Sequence, residues 1–359
     1  MYEIITHTHT HNNTTNMEHY PSPDEIDTFC NNLLTKANEA EIIAQPINIP
    51  NYSTFNIKGQ RNVKPTRYIK FTVKNIPNIS SFYCVWQPAY KDNQPLLVHT
   101  PGYAGTMSLH PGLQENGYNV LEINPLGLNG PNGFDMSLMK KLSENVLIQL
   151  EEEFKKHPND LIPTLYKNVR ETGVPPVLLD SIYTYGEKGY NNWLICCIIA
   201  VKWAMKQKSV NANRLGFFGT SQGGGGSLLL SSIFSNEVKC CAADQPFMTD
   251  YITAAKETDG KHPITAQFKY IMSGGDNTLD LPKAWNALGY VDTISHAHRL
   301  QIPVLLTSGS EDFTCPPNCI FNLYRKLPNT KSITDEFNRG HGGHASFHNI
   351  MLGWFKSYL

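Results

Sequence analysis

Residues 219–223 read Gly-Thr-Ser-Gln-Gly, a G-x-S-x-G pattern set between the apolar run RLGFF and a second apolar run, SLLLSSIF. That context predicts a strand, a sharp turn and a helix, with Ser221 presented at the turn. A serine there must hold a strained backbone, and glycines two before and two after it remove the side chains that would collide. Gly224, Gly225 and Gly226 prolong the run. Each costs roughly 1 kcal/mol against alanine inside a helix, so close approach of the helix to its neighbours has to offset the loss. The chemistry implied is nucleophilic attack by the Ser221 hydroxyl.

A serine hydroxyl is a weak nucleophile until a base stands within hydrogen-bond reach and a carboxylate orients that base. For a nucleophile on a strand-to-helix turn the chain order is serine, acid, histidine. Asp312 is the acid of choice, in the Ser310-Glu311-Asp312 loop that follows the apolar IPVLLTSG. Glu311 is the weaker choice, because adjacent loop residues point apart and its longer side chain overreaches. His341 is the base, in Asn338-Arg339-Gly340-His341-Gly342-Gly343-His344, with His344 the alternative at the edge of the final helix. Oxyanion donors are expected from the backbone N–H of Gln222 and from that of Tyr103 in Pro101-Gly102-Tyr103-Ala104-Gly105, where a plain tight turn is the other reading. The start of the helix after Ser221 adds partial positive charge at the same place.

These residues need a frame. Strands are predicted at 67–73, 81–88, 95–100 and 118–124, the first two as an antiparallel edge pair. From 188 the pattern alternates: helix 190–207, strand 214–219, helix 223–234, strand 238–244, then strand 302–309, helix 317–326, strand 332–337 and a final helix at about 344–358. The fold class is α/β: a mostly parallel twisted sheet with helices on both faces and inserted lid elements. The stretches 126–187 and 247–290 interrupt the alternation after strand ends, where insertions shape a pocket. Ahead of the catalytic domain at 64–359 lies an extension, 1–63, with a polar tail and a helix over 24–44 that starts at Ser22-Pro23-Asp24. His7, His9 and His11 alternate along that tail, where adventitious metal binding is their only chemistry.

Composition narrows the partners. The 359 residues carry 30 Lys and Arg against 31 Asp and Glu, so no electrostatic footprint for nucleic acid or an anionic membrane exists. A small uncharged or mixed ester fits better. The start of the chain lacks a basic stretch leading into an apolar one, and the longest apolar run, Trp193 to Val201, is too short to span a bilayer. A cytoplasmic protein is expected. Of the eight cysteines, Cys196, Cys197, Cys240 and Cys241 sit in apolar runs as small hydrophobes. Cys315 and Cys319, four apart on an expected helix, are half a zinc site, and His344 and His348 lack the glutamate of an H-E-x-x-H motif. Neither a metal nor a cofactor is called for.

With these residues in place the chain resembles the acetyl xylan esterase and cephalosporin C deacetylase family of the α/β-hydrolase superfamily. The resemblance runs from about residue 64 to the end, apart from much of 126–180. It rests on PGYAG at 101–105, RLGFFGTSQGGG at 214–225, AADQPFMTDY at 242–251 and the long stretch from Ala287 to Leu327. It implies deacetylation of small sugar esters without a metal, with Tyr103 and Gln222 as oxyanion donors, Ser221 as nucleophile, Asp312 as acid and His341 as base. It also implies hexameric rings, so a homo-oligomer is compatible with the chain. Two departures bear on substrate: Asn124-Pro125-Leu126-Gly127 replaces the family's Arg-Gly-Gln element, and Gly340-His341-Gly342 its Gly-His-Glu. Against the esterase stand three other classes. A prolyl oligopeptidase-like peptidase needs a propeller that some 60 preceding residues cannot build. A thioesterase or acyltransferase would use the same residues, whereas a non-catalytic binding protein would not need them in this order.

Overall fold

A computed structural model describes residues 19–47, 64–103, 108–123, 177–258, 263–342 and 345–359. Its centre is a nine-stranded sheet in the order β1-β2-β3-β5-β4-β6-β7-β8-β9. The strands are β1 Ile42–Ile47, β2 Arg67–Val73, β3 Ser81–Gln87, β4 Gln94–Thr100, β5 Asn119–Ile123, β6 Val210–Thr220, β7 Val238–Asp244, β8 Val304–Gly309 and β9 Lys331–Glu336. From β5 onward every pairing is parallel, whereas β1 to β3 run antiparallel to their neighbours.

Alternation along the buried strands decides which helix covers which face. Leu97, Val120, Phe218, Ala242 and Leu305 form one apolar cluster with Phe347, Met351 and Phe355 of the last helix, Ala345–Tyr358. Leu96, Val98, Leu121, Phe217, Cys241 and Leu306 face the other way, into the larger cluster with Trp193, Leu228 and Leu229. Those last three come from helices Tyr190–Met205 and Gln222–Ile233. The covered parallel sheet expected from the alternation is therefore the fold, and its strand carboxyl ends collect on one edge the loops that carry Ser221, Asp312 and His341.

Three local expectations need correction. The first helix spans Pro23–Glu39, and Ile42–Ile47 is an added edge strand that pairs with β2 from Ile42 opposite Val73 to Ile47 opposite Tyr68. Thus β2 and β3 form an antiparallel pair but not the edge. Pro46 is tolerated because an outermost strand leaves one row of N–H groups unpaired. Cys315 does not share a helix with Cys319, since Pro316 and Pro317 begin that helix, Pro317–Lys326, after it. The inserted stretch 247–290 carries helices at Tyr251–Glu257, Pro263–Tyr270 and Leu281–Gly289. Of 126–187 only the end is described, with a helix at Val177–Tyr183. The departure at 124–127 and the rest of the inserted stretch, up to 176, lie outside the described residues.

The first helix is held to the body beside a buried histidine. His296 Nε2 stands 3.0 Å from the Tyr290 carbonyl, so that nitrogen carries the proton, and Nδ1 accepts from Ser232 Oγ at 2.5 Å with Cys30 Sγ 3.8 Å away. Burial pushes the imidazole pKa down to about 4. In the unfolded chain it titrates near 6.5, so between these values the unfolded state takes up a proton that the folded state refuses. Stability therefore falls as pH drops through about 6.5 towards 4, by roughly 3 kcal/mol from this group. Urea midpoints of His296→Gln should lack that part of the acid slope; equal slopes in both proteins would assign it elsewhere.

Candidate active site

Ser221 caps the carboxyl end of β6 with φ 59° and ψ −123°, a left-handed conformation that L-residues avoid. Three backbone bonds hold it there. Its N–H donates to the Asp244 carbonyl at 2.9 Å, and its own carbonyl accepts from Phe247 N at 2.9 Å and Gly225 N at 3.1 Å. The glycines explain how the helix after it comes so close. A Cβ on Gly223 would lie 1.7 Å from the Thr100 carbonyl oxygen, one on Gly225 1.8 Å from that of Phe247, and one on Gly226 2.5 Å from the Trp193 ring. The helix thus packs backbone against backbone on both flanks.

Asp312 and His341 converge on this turn from the loops after β8 and β9. His341 Nε2 lies 2.9 Å from Ser221 Oγ, and its Nδ1 lies 2.8 Å from Asp312 Oδ2. The buried Asp312 spends its other oxygen on the backbone N–H groups of Thr314 and Cys315, at 2.9 and 2.8 Å. A carboxylate so placed fixes the tautomer: Nδ1–H donates to Asp312, and the Nε2 lone pair faces the serine hydroxyl. Such a relay can take the Ser221 proton as Oγ attacks an electrophile. Glu311, by contrast, is exposed, and His344 lies outside the described residues.

The segment after β4 borders the Ser221 turn. A Cβ on Gly102 would sit 3.9 Å from that of Ser221 and 3.8 Å from the Thr220 carbonyl, so Gly102 and the adjoining Tyr103 abut the turn. Gln222 is buried at the first position of the helix, and its side chain accepts from the Tyr190 hydroxyl at 3.0 Å. The Tyr103 phenol is pushed up by burial, against backbone at Val177 and Leu178. It stays protonated and anchors the segment rather than supplying charge.

Two neighbours of the relay escaped the sequence reading. Gln245, buried and itself at φ 40°, donates from Nε2 to the Gly340 carbonyl at 2.8 Å and accepts from Gly342 N at 2.5 Å. It therefore grips the backbone on both sides of His341. The only sequence signal was its place in AADQPFMTDY. Cys315 puts its thiol within 4.8 Å of the ligand atoms of Asp312 and His341. Burial pushes that thiol's pKa well up, so it stays protonated and does not rival the serine. All eight cysteines are free and buried, as small hydrophobes are.

A mostly parallel covered sheet with a serine on a strand-to-helix turn, and an acid and a histidine on later loops, is the arrangement of the α/β-hydrolase fold. Within that class the chain resembles the acetyl xylan esterases: the family model described as acetyl xylan esterase matches residues 187–358. Two solved structures share the fold across nearly their whole length. Acetyl xylan esterase 1 from Thermoanaerobacterium sp. JW/SL YS485 is 16% identical with a TM-score of 0.63, covering 94% of this chain and 95% of that one. The acetyl xylan esterase from Paenibacillus sp. R4 is 16% identical with a TM-score of 0.64, covering 96% and 99%. An acylaminoacyl peptidase from Pyrococcus horikoshii, 14% identical with a TM-score of 0.55, covers 84% of this chain but 43% of its own. An acetyl esterase of Xylanibacter ruminicola is 23% identical over 133 residues, 37% of this chain. The chain spans 28% of the length of that curated relative. Among the described residues no helix is long and apolar enough to cross a membrane.

Proposed function

We propose that this chain is a serine esterase that deacetylates a small, sugar-like ester in the cytoplasm. The observation that carries the reading is the unbroken relay from Asp312 through His341 to Ser221, at 2.8 and 2.9 Å. Ser221 Oγ gives its proton to His341 Nε2 and bonds to the ester carbonyl carbon. The resulting oxyanion accepts from the backbone N–H groups of Gln222 and Tyr103, which act without reorganising. His341 then protonates the leaving alkoxide as the carbon–oxygen bond breaks, and an acetyl-serine remains. In the second half His341 takes a proton from water, whose oxygen attacks the acetyl carbon. Acetate leaves and Ser221 recovers its proton. The resemblance to proteins named acetyl esterase and acetyl xylan esterase supports the acyl group and, more weakly, the sugar.

Hydrolysis of p-nitrophenyl acetate, butyrate and octanoate by the purified chain tests this reading. The expected outcome is activity that falls steeply beyond acetate. Rates rising with chain length would replace the deacetylase by a lipase-like enzyme or thioesterase, and no hydrolysis of any of the three would sink the esterase itself.

A further inference from the structure

A second cluster of titratable groups lies on the sheet face beneath the last helix. His99 and Glu122 are directly paired residues of β4 and β5, two positions beyond Leu97 and Val120 on the same face, and His110 immediately precedes the short helix Pro111–Glu115. The Glu122 side chain is fully buried, and both imidazoles reach the same oxygen: His99 Nδ1 in a short contact with Oε2, and His110 Nε2 at 3.0 Å from it. The other oxygen, Oε1, accepts from Ser108 N at 3.2 Å. Phe218 walls the cluster, its ring centroid 4.7 Å from that of His99 and 5.4 Å from that of His110.

None of this belongs to the catalytic relay, and it has the properties of a coordination site. A buried carboxylate needs compensation. Among the described residues the ion pairs of Glu122 are to these two imidazoles and not to any lysine or arginine. The three donor atoms lie within 4.8 Å of one another. Tetrahedral zinc bonds of about 2.0–2.2 Å set its ligand atoms roughly 3.4 Å apart, so admitting an ion asks the two imidazole–carboxylate contacts, both closer than that, to open. Two imidazole nitrogens and one carboxylate are the borderline donors that zinc-class ions select, whereas calcium and magnesium take oxygen. His99 and His110 are 13% and 15% exposed, which leaves a solvent route.

We propose that His99, His110 and Glu122 form a binding site for a divalent transition ion of the zinc class. The ion would join β4, β5 and the segment entering Pro111–Glu115. His99 stands two residues before Pro101, so the ion would brace the strand end from which the Gly102–Tyr103 segment leaves.

Cobalt(II) chloride is the probe, because its visible bands report ligand type. The full chain carries His7→Asn, His9→Asn and His11→Asn to silence the tail. This protein should bind one equivalent of cobalt with visible bands and no thiolate charge-transfer band. Loss of an outer partner typically costs 10–100-fold in metal affinity, so His110→Ala and Glu122→Gln should each weaken binding by about 100-fold or more. Circular dichroism of both variants checks folding. Should Glu122→Gln unfold, His110→Ala and His99→Asn, each removing a partly exposed ring, carry the comparison. Three results would overturn the proposal: no uptake by the tail-silenced chain, equal uptake by folded variants, or a thiolate band abolished by Cys315→Ser. The last would place the ion on Asp312, Cys315 and His341 instead.

Discussion

Ser221→Ala should lose turnover of p-nitrophenyl acetate on the order of 10³-fold or more, with the thermal midpoint unchanged. The substitution keeps the Cβ and deletes only Oγ. The three bonds that hold the turn, to Asp244, Phe247 and Gly225, are all made by the residue 221 backbone and survive. An alanine also meets the same steric cost at φ 59° as the serine does. What disappears is the single atom 2.9 Å from His341 Nε2, and with it the acyl-enzyme route. The residual rate measures what the oxyanion donors and substrate binding achieve without a nucleophile, since members of such a relay act as one unit. A folded Ser221→Ala protein with undiminished turnover would remove the serine from the mechanism, and Asp312 and His341 would lose their roles with it.

The parts of this protein that could be read in advance are those in which local pattern and tertiary role coincide. Strand Val238–Asp244 and helix Pro317–Lys326 match their expected bounds to the residue. An apolar run ends at Asp244 in one case, and a proline opens the first turn in the other. The strained turn at Ser221 could be read because such a turn writes glycines around itself. The convergence of Asp312 and His341 on that turn could be read because loops after parallel strands share one edge, so chain order stands in for distance. The expected helix runs on to 44 because Ile42 and Ile43 continue its apolar pattern across Glu39-Ala40-Glu41, and only pairing with β2 shows them to be strand. Gln245 grips residues 95 and 97 positions away, and Glu122 meets imidazoles 23 and 12 positions away. Contacts at such separations have no period or spacing for a sequence reading to find.

Gly223→Ala should damage the fold as severely as Ser221→Ala damages turnover. Its new methyl group would stand 1.7 Å from the Thr100 carbonyl oxygen, 2.6 Å from the Thr100 carbonyl carbon and 2.9 Å from that of Pro101. All three are backbone atoms, so no side chain can swing aside. The helix Gln222–Ile233 or the end of β4 has to move by more than an ångström. Both are pinned: Thr100 Oγ1 donates to the Gly223 carbonyl at 2.7 Å, and β4 pairs with β6 up to Thr100 opposite Gly219. Overpacking a close-packed interior costs about 1–3 kcal/mol, and a clash between two backbones belongs at or beyond the upper end. Gly353→Ala is the control, since Gly353 lies exposed within the last helix and nothing stands within 4 Å of its added Cβ. There alanine should stabilise, by about 0.5–1 kcal/mol through helix propensity alone. Denaturant midpoints that move in opposite directions for the two variants would show that Gly223 is required by contact with β4. If both moved the same way, the glycine run after Ser221 would need an explanation other than close approach. Because β4 leads directly into Gly102 and Tyr103, any Gly223→Ala protein that still folds should also show reduced turnover, as the oxyanion segment is pushed from the Ser221 turn.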